Sequence, residues 1–154
     1  PAEEAAPEEM QVAAMEPEEP AAEAAPAAAS GGSGASPEFV AALASVSASD
    51  GEKVFRKCRA CHKLDEGAHG VGPSLHQVVG RPVAAIEGYR YSDAMTAYGG
   101  EWSMARLSTY LEAPRDVVDG TKMAFRGLRK VEDRAAVIKY LNEEAGSNLP
   151  YPGN

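Results

Sequence analysis

The chain lacks several features that would assign it to common protein classes. It contains no run of about 18 apolar residues, the length that a membrane-crossing helix needs, so no segment is predicted to span a bilayer. It has only two cysteines, which leaves no wider disulfide network. No segment alternates apolar and polar residues for long enough to predict a strand. Lysine and arginine are absent from residues 1–37, so all 15 basic residues follow that segment.

Charge is divided unevenly along the chain. Residues 1–37 contain eight glutamates and account for the whole formal net charge of −8, because acidic and basic residues balance at 15 each after residue 37. The sequence pI of about 4.9 therefore describes the N-terminal segment and not the remaining surface. It gives no argument about what the rest of the chain binds, and we expect no nucleic-acid partner.

Residues 1–37 are predicted to be a disordered linker, and residues 38–154 a single folded domain. The linker is mostly Ala, Glu and Pro, and it has almost nothing large and apolar to bury. Short fluctuating helices in its Ala-Glu stretches are the alternative, and either state would act as a spacer. Because the chain starts at Pro1 without an initiator methionine, we expect an export or anchor segment to precede it.

Two helices are predicted in the first and middle parts of the domain. Asp50 is a candidate cap for a short helix that carries Val54 and Phe55. Ser103 can cap a second helix, which Pro114 ends. The apolar residues of this second helix recur at helical spacing and are Met104, Leu107, Tyr110 and Leu111.

A third helix is predicted near the C-terminus, after a long irregular region. Residues 67–82 are rich in Gly, Pro and His and indicate a loop. The last helix has Glu132 and Asp133 in its first turn and stops at Gly146. The residues that it is predicted to bury are Val137, Tyr140 and Leu141. The fold class is therefore all-α with short helices and long loops, and so thin a core predicts a large group such as a haem at its centre.

The segment Cys58-Arg59-Ala60-Cys61-His62 has the C-x-x-C-H pattern of c-type haem attachment. Two residues between the cysteines let both thiols reach the two vinyl groups on one edge of the porphyrin, and the adjacent histidine then lies under the iron. A thioredoxin-like redox pair is one alternative, but it requires a βαβ context that the sequence lacks. A zinc site completed by His69 and His76 is the other.

Met123 is the candidate sixth ligand of the iron. A thioether is soft and suits iron, and Met123 stands in a glycine-containing loop between helices, where a ligand can be aimed at a metal. Any methionine can also fill a core. The competing methionines are Met10, Met15, Met95 and Met104.

Residues 50–145 resemble the class I cytochromes c, the mitochondrial type and its bacterial relatives. The segments that carry the resemblance are Cys58–His62, Val71–His76, Gly80-Arg81, Tyr91–Ala94, Trp102, Tyr110–Pro114, Gly120–Phe125 and Tyr140-Leu141. The acidic Ala/Pro-rich linker looks like that of the membrane-anchored bacterial cytochromes of the c-y type. The resemblance implies the class I cytochrome c fold around one covalently attached haem c.

The resemblance also implies roles for single residues. His62 and Met123 would be the axial ligands, and the carbonyl of Pro73 would orient His62. Tyr110 and Thr121 would steady the Met123 side, and Gly51 and Phe55 would pack against Val137 and Tyr140. The residues that would bond or screen a buried haem propionate are Arg81, Tyr91 and Trp102.

The function implied is that of a single-electron carrier in a respiratory or photosynthetic chain, and not an enzyme. Its partners would be a quinol–cytochrome c reductase and either a cytochrome c oxidase or a photosynthetic reaction centre. It would be periplasmic and reach the membrane only through an N-terminal anchor that precedes this sequence. An electron-transfer domain of a larger dehydrogenase, or a haem peroxidase or sensor, are the alternatives.

A basic face is predicted for partner docking, at the exposed haem edge of the family. Its residues are Lys57, Arg59, Lys122, Arg126 and Lys130, and we call them the basic rim. Two departures from the mitochondrial type stand against a simple transfer of its properties. The domain is electrically neutral, and Met95 stands where mitochondrial relatives have an asparagine near the haem.

Overall fold

The computed structural model describes residues 34–153, so most of the predicted linker lies outside the described range. Six helices follow one another: α1 Pro37–Ser45, α2 Ala48–Phe55, α3 Asp93–Tyr98, α4 Met104–Glu112, α5 Pro114–Val117 and α6 Val131–Glu144. Within this range there is no strand, only an isolated bridge between Pro82 and Glu101. Long loops join α2 to α3 and α5 to α6. The predicted all-α class is confirmed, and no helix in the described range is long and apolar enough to cross a membrane.

The start of α2 differs from the prediction that Asp50 caps it. The helix begins at Ala48, and Ser47 is the cap, because its hydroxyl accepts from the Asp50 amide at 3.2 Å. Asp50 occupies the third helical position, and its carboxylate accepts from the Ser47 amide at 3.0 Å. This reciprocal pair is a capping box, which satisfies two amide groups that the helix itself leaves without partners.

Helices α4 and α6 begin and end close to the predicted positions. Ser103 caps α4 by accepting from the Arg106 amide at 3.1 Å, and Pro114 begins the next helix. In α6 the predicted burial of Tyr140 is wrong. Its ring is only half-buried and rests on Phe55, with ring centroids 5.3 Å apart, so the tyrosine covers the edge of the core.

Helix α1 was not predicted from the sequence. Ser36 caps it, and Phe39 and Leu43, each 2% exposed, bury its apolar side against α6. Lys139 of α6 donates from Nζ to the carbonyl oxygens of Leu43 at 2.8 Å and Val46 at 3.0 Å. These bonds satisfy carbonyl groups that the end of a helix leaves free, and they fix α1 on α6.

Helices α2 and α6 cross at Gly51. A Cβ atom at this position would lie 2.5 Å from Tyr140 Cβ and closer still to the carbonyl oxygen of Ala136. Only a glycine therefore allows the two backbones to approach this closely, and the contact predicted between Gly51 and Tyr140 is present.

Candidate functional site

A cavity of about 320 Å³ opens between α2, α4, α6 and the two long loops. Apolar side chains such as Phe55, Leu107, Val137 and Leu141 form much of its wall. Every residue predicted to hold a cofactor or metal also lines it: Cys58, Cys61, His62, Pro73, Arg81, Tyr91, Trp102, Tyr110, Thr121 and Met123. Residues 65 positions apart in the chain thus meet at one site.

The C-x-x-C-H segment forms tight turns directly after α2. The amides of Cys61 and His62 both donate to the carbonyl oxygen of Cys58 at 3.0 Å. These turns bring two thiols and one imidazole to the same cavity wall. The arrangement matches a flat cofactor that is attached at one edge and bound by the adjacent histidine.

His62 is oriented by one hydrogen bond. Its Nδ1 donates to the carbonyl oxygen of Pro73 at 2.8 Å, which leaves Nε2 available to a metal. Burial lowers the pKa of His62; the Pro73 carbonyl opposes this shift, and the charge of Arg81 adds to it. The histidine is therefore neutral at neutral pH, which is the form that binds metals.

The two alternative interpretations of the cysteines gain no support. Burial raises the pKa of Cys58 to about 11, whereas redox-active cysteine pairs have a lowered thiol pKa. Within residues 34–153 no group of three or more His, Cys, Asp or Glu side chains could hold a metal ion. His69 is instead engaged with the backbone, since its Nδ1 accepts from the Ser74 amide at 3.4 Å.

A short chain of hydrogen bonds supports the loop that carries Met123. The hydroxyl groups of Tyr110 and Thr121 are 2.9 Å apart, and the Met123 amide donates to Thr121 Oγ1 at 3.4 Å. Burial raises the pKa of Tyr110, so its phenol stays protonated. Met95 lines the cavity as well, whereas Met104 of α4 is buried in the hydrophobic core. Met10 and Met15 lie outside the described residues.

An incompletely bonded arginine, Arg81, also lines the cavity. Arg81 donates from Nη1 to the carbonyl oxygens of Ser74 at 2.9 Å and His76 at 2.8 Å. Its Nε is buried and has no hydrogen-bond partner in the described part of the chain. Partial burial lowers the pKa of Arg81, and the nearby Tyr91 opposes this shift. A half-buried cation with a buried, unpartnered donor indicates that an anionic group, such as a haem propionate, fits here.

Tyr91 and Trp102 line the cavity together with Arg81. The hydroxyl of Tyr91 accepts from the Ile86 amide at 3.2 Å, and the Trp102 amide donates to the carbonyl oxygen of Arg81 at 2.8 Å. The five residues of the basic rim are all exposed, and two of them, Lys57 and Lys122, also line the cavity. The amine of Lys122 donates to the carbonyl oxygen of Arg90 at 2.9 Å.

The sequence assigned no role to two residues that shape the site, Gly72 and Arg106. A Cβ atom at Gly72 would lie 2.8 Å from Nδ1 and 3.0 Å from Nε2 of His62, so a side chain here would collide with the imidazole. Arg106 stacks on Tyr98 beside Trp102. Neither belongs to a periodic pattern, and only the spatial contacts identify them.

Comparisons with known proteins agree with this geometry. The family model described as Cytochrome c matches residues 48–144. The chain is 51% identical over 96 residues to cytochrome c-type cyt cy of Rhodobacter capsulatus, covering 62% of this chain and 48% of that protein. It is 44% identical over 107 residues to cytochrome c2 of Rhodomicrobium vannielii, covering 69% of this chain and 86% of that protein.

A solved structure gives the same result. The cytochrome cH from Methylobacterium extorquens superposes with a TM-score of 0.59 at 39% identity, covering 62% of this chain and 97% of that chain. The predicted class I cytochrome c fold is thereby confirmed. The chain spans about half the length of the R. capsulatus relative that it matches.

The cavity, the C-x-x-C-H turn and the family match lead to one conclusion. Members of this family carry electrons and are not enzymes, as the sequence predicted. The chain belongs to the cytochrome c family, whose members bind a covalently attached haem c, and its Cys58, Cys61 and His62 fit the C-x-x-C-H attachment motif.

Proposed function

We propose that this cytochrome carries single electrons from a quinol–cytochrome c reductase to a cytochrome c oxidase or a photosynthetic reaction centre. One observation carries the proposal: His62 and Met123 line the same cavity as the two attachment cysteines. With a protein ligand for each axial position of the iron, no position remains open to a substrate. This favours electron transfer over a haem peroxidase or a gas sensor.

Met123 is the proposed partner of His62 at the iron. A thioether is a soft ligand, and His/Met ligation in cytochromes c raises the reduction potential of the bound iron. The residues of this chain that orient it are Tyr110 and Thr121, through the hydrogen bonds that end at the Met123 amide. Met95 competes for the same position, because it lines the cavity too.

Arg81, Tyr91 and Trp102 are the proposed partners of the haem propionates. The free Nε of Arg81 supports this role, since a buried N–H donor without a partner is costly. An ionised propionate placed there would be neutralised and shielded from water. Arg81 would then screen the charge, and Tyr91 and Trp102 would complete the wall.

The basic rim is the proposed docking surface. Its five side chains are exposed, and Lys57 and Lys122 reach the cavity, so an electron crossing here would have a short path to the haem. The matching surface of the partner is then acidic. Such a contact is small and short-lived, because redox partners must separate after each transfer.

The proposed location is the periplasm, with a tether to the inner membrane. Support comes from the linker composition and from the length of the R. capsulatus cytochrome cy, of which this chain covers 48%. A spacer between a membrane anchor and the domain would let the tethered domain move between two membrane complexes.

Replacement of the cavity methionines tests the axial ligand. Met123→Ala should abolish the weak far-red charge-transfer band of Met–iron ligation in the oxidised protein and lower the reduction potential, because the soft ligand is lost. Met95→Ala is the matched control, since it removes the other cavity methionine, and it should retain the band. A band that survives Met123→Ala but disappears in Met95→Ala would assign the ligand to Met95.

A further inference from the structure

Arg106, the third residue of α4, has contacts that none of the roles above explains. Its guanidinium carbon lies 4.0 Å from the centre of the Tyr98 ring and 6.0 Å from that of Trp102. Its Nη1 donates to the carbonyl oxygens of Gly99 at 2.7 Å and Glu101 at 3.2 Å. The side chain is half-buried, and no carboxylate in the described range forms an ion pair with it.

These contacts hold an irregular segment in shape. Gly99 and Gly100 follow α3 with φ values of 57° and 77°, in the left-handed region that favours glycine. A Cβ atom at Gly100 would fall against Nη1 of Arg106 and 3.2 Å from its Cζ. The guanidinium therefore adds hydrogen bonds to the Gly99 and Glu101 carbonyls and fixes the turn between α3 and Trp102. A lysine would keep the charge and could reach the carbonyls, but it lacks the planar guanidinium that stacks on the Tyr98 ring.

The segment held by Arg106 ends at Trp102, which forms part of the cavity wall. Trp102 is only 6% exposed, and its ring packs between Tyr98 and Tyr110 at centroid distances of 5.8 and 5.1 Å. Its backbone is tied to the Arg81 loop, because its carbonyl oxygen accepts from the Gly80 amide at 2.7 Å. The Trp102 ring therefore lies between Arg106 and the proposed propionate site.

We propose that Arg106 is a positioning residue that fixes the Trp102 indole in the cavity wall and raises the reduction potential of the haem. This inference rests on the proposed role of Trp102 toward a propionate. An indole held in place keeps the propionate hydrogen-bonded, which weakens the stabilisation of oxidised iron by that anion. The unpaired guanidinium acts in the same direction, because a nearby positive charge disfavours the more positive oxidised state.

The test compares three variants of the haem-loaded protein. Arg106→Gln should lower the equilibrium constant for reduction by about tenfold, which is about 59 mV for a one-electron couple. Arg106→Lys keeps the charge and should give a smaller decrease. Arg115→Gln is the matched control, because Arg115 is an exposed arginine that does not line the cavity, and its potential should stay at the parental value.

Hydrogen exchange gives a second readout, independent of the potential. The Val83 amide donates to the Gly100 carbonyl at 2.8 Å and the Trp102 amide to the Arg81 carbonyl, so both amides report on the segment. Their exchange should accelerate in Arg106→Gln and in Arg106→Lys but not in Arg115→Gln. Unchanged exchange in Arg106→Lys would overturn the positioning role even if Arg106→Gln failed to fold.

A double-mutant cycle with Trp102→Phe separates positioning from distant charge. If Arg106 acts through the indole, the potential shift caused by Arg106→Gln is smaller when residue 102 is phenylalanine. An equal shift in both backgrounds, or no shift in either, overturns the proposal. Absence of the low-spin haem spectrum in the parent protein would instead contradict the proposed function, so the two failures are distinguishable.

Discussion

Gly72→Ala is the substitution from which we expect the most specific damage to the iron site. Gly72 is buried beside the His62 ring, and its amide donates to the carbonyl oxygen of Cys61 at 2.8 Å. Its own carbonyl accepts from the Gly70 amide at 3.0 Å. The backbone at this position is therefore bonded on both sides and cannot move away to make room for a methyl group.

The size of the effect follows from the distances. The new Cβ would lie 2.8 Å from Nδ1 and 3.0 Å from Nε2 of His62, whereas nonbonded heavy atoms prefer about 3.5–4.0 Å. Cε1 of His62 would lie nearer still, so the imidazole would have to retreat by about 1 Å or more, against its bond to the Pro73 carbonyl. Overpacking of this kind costs about 1–3 kcal/mol, which corresponds to a decrease in Tm of roughly 5–15 °C.

The assay records absorption spectra, reduction potential and thermal melting for the same samples. In Gly72→Ala the haem bands and the potential should change together with Tm, because the displaced ring is the iron ligand. Gly51→Ala is the matched control: its Cβ would be 2.5 Å from Tyr140 Cβ, so it strains the α2–α6 crossing and leaves His62 untouched. It should lower Tm and keep the parental spectrum.

One result would refute this reasoning. If Gly72→Ala loses stability as Gly51→Ala does but retains the parental spectrum and potential, the methyl group has been accommodated without moving the ligand. The close contact between Gly72 and His62 would then have no functional meaning.

Two further predictions concern the N-terminal segment and the proposed docking surface. Removing residues 1–33 should leave Tm and the haem spectrum almost unchanged. Removing residues 1–46 should lower Tm sharply, because it takes away two fully buried side chains of α1, each contributing about 1.5–3 kcal/mol. Equal Tm values for the two truncated proteins would contradict this prediction. Lys57→Glu combined with Lys122→Glu should slow reduction by a quinol–cytochrome c reductase at low salt, and the difference should shrink as salt screens the charges. Arg115→Glu is the control. If the double substitution leaves the rate at low salt unchanged, the docking surface does not include Lys57 and Lys122.

The sequence predicted well those features that depend on local chemistry. The C-x-x-C-H pattern, the Ser103 cap and the loop over residues 67–82 are each determined by a few neighbouring residues, and the structure contains all three. The cap at Asp50 was misplaced by three positions because serine and aspartate both cap helices, and only the reciprocal bonds with Ser47 identify which residue does so.

Features that depend on distant contacts were missed. Helix α1 is short and rich in alanine, and its stability comes from α6, about 95 residues further along the chain, through Phe39, Leu43 and Lys139. Helix α3 buries no residue and shows no apolar period. Arg106 gives no signal in the sequence, because its contacts with Tyr98 and two carbonyls exist only once α3 and α4 are placed together.

The arrangement of α6 relates the linker to the proposed docking surface. Val137 and Leu141 line the cavity and lie on one face of the helix, since they are four residues apart. Lys139, two residues from each, projects from the opposite face, where it binds the carbonyl oxygens of Leu43 and Val46. Helix α1 therefore lies on the side of α6 that faces away from the haem. A linker that enters through α1 joins the domain behind the cavity, so a tether there leaves the basic rim accessible to a redox partner.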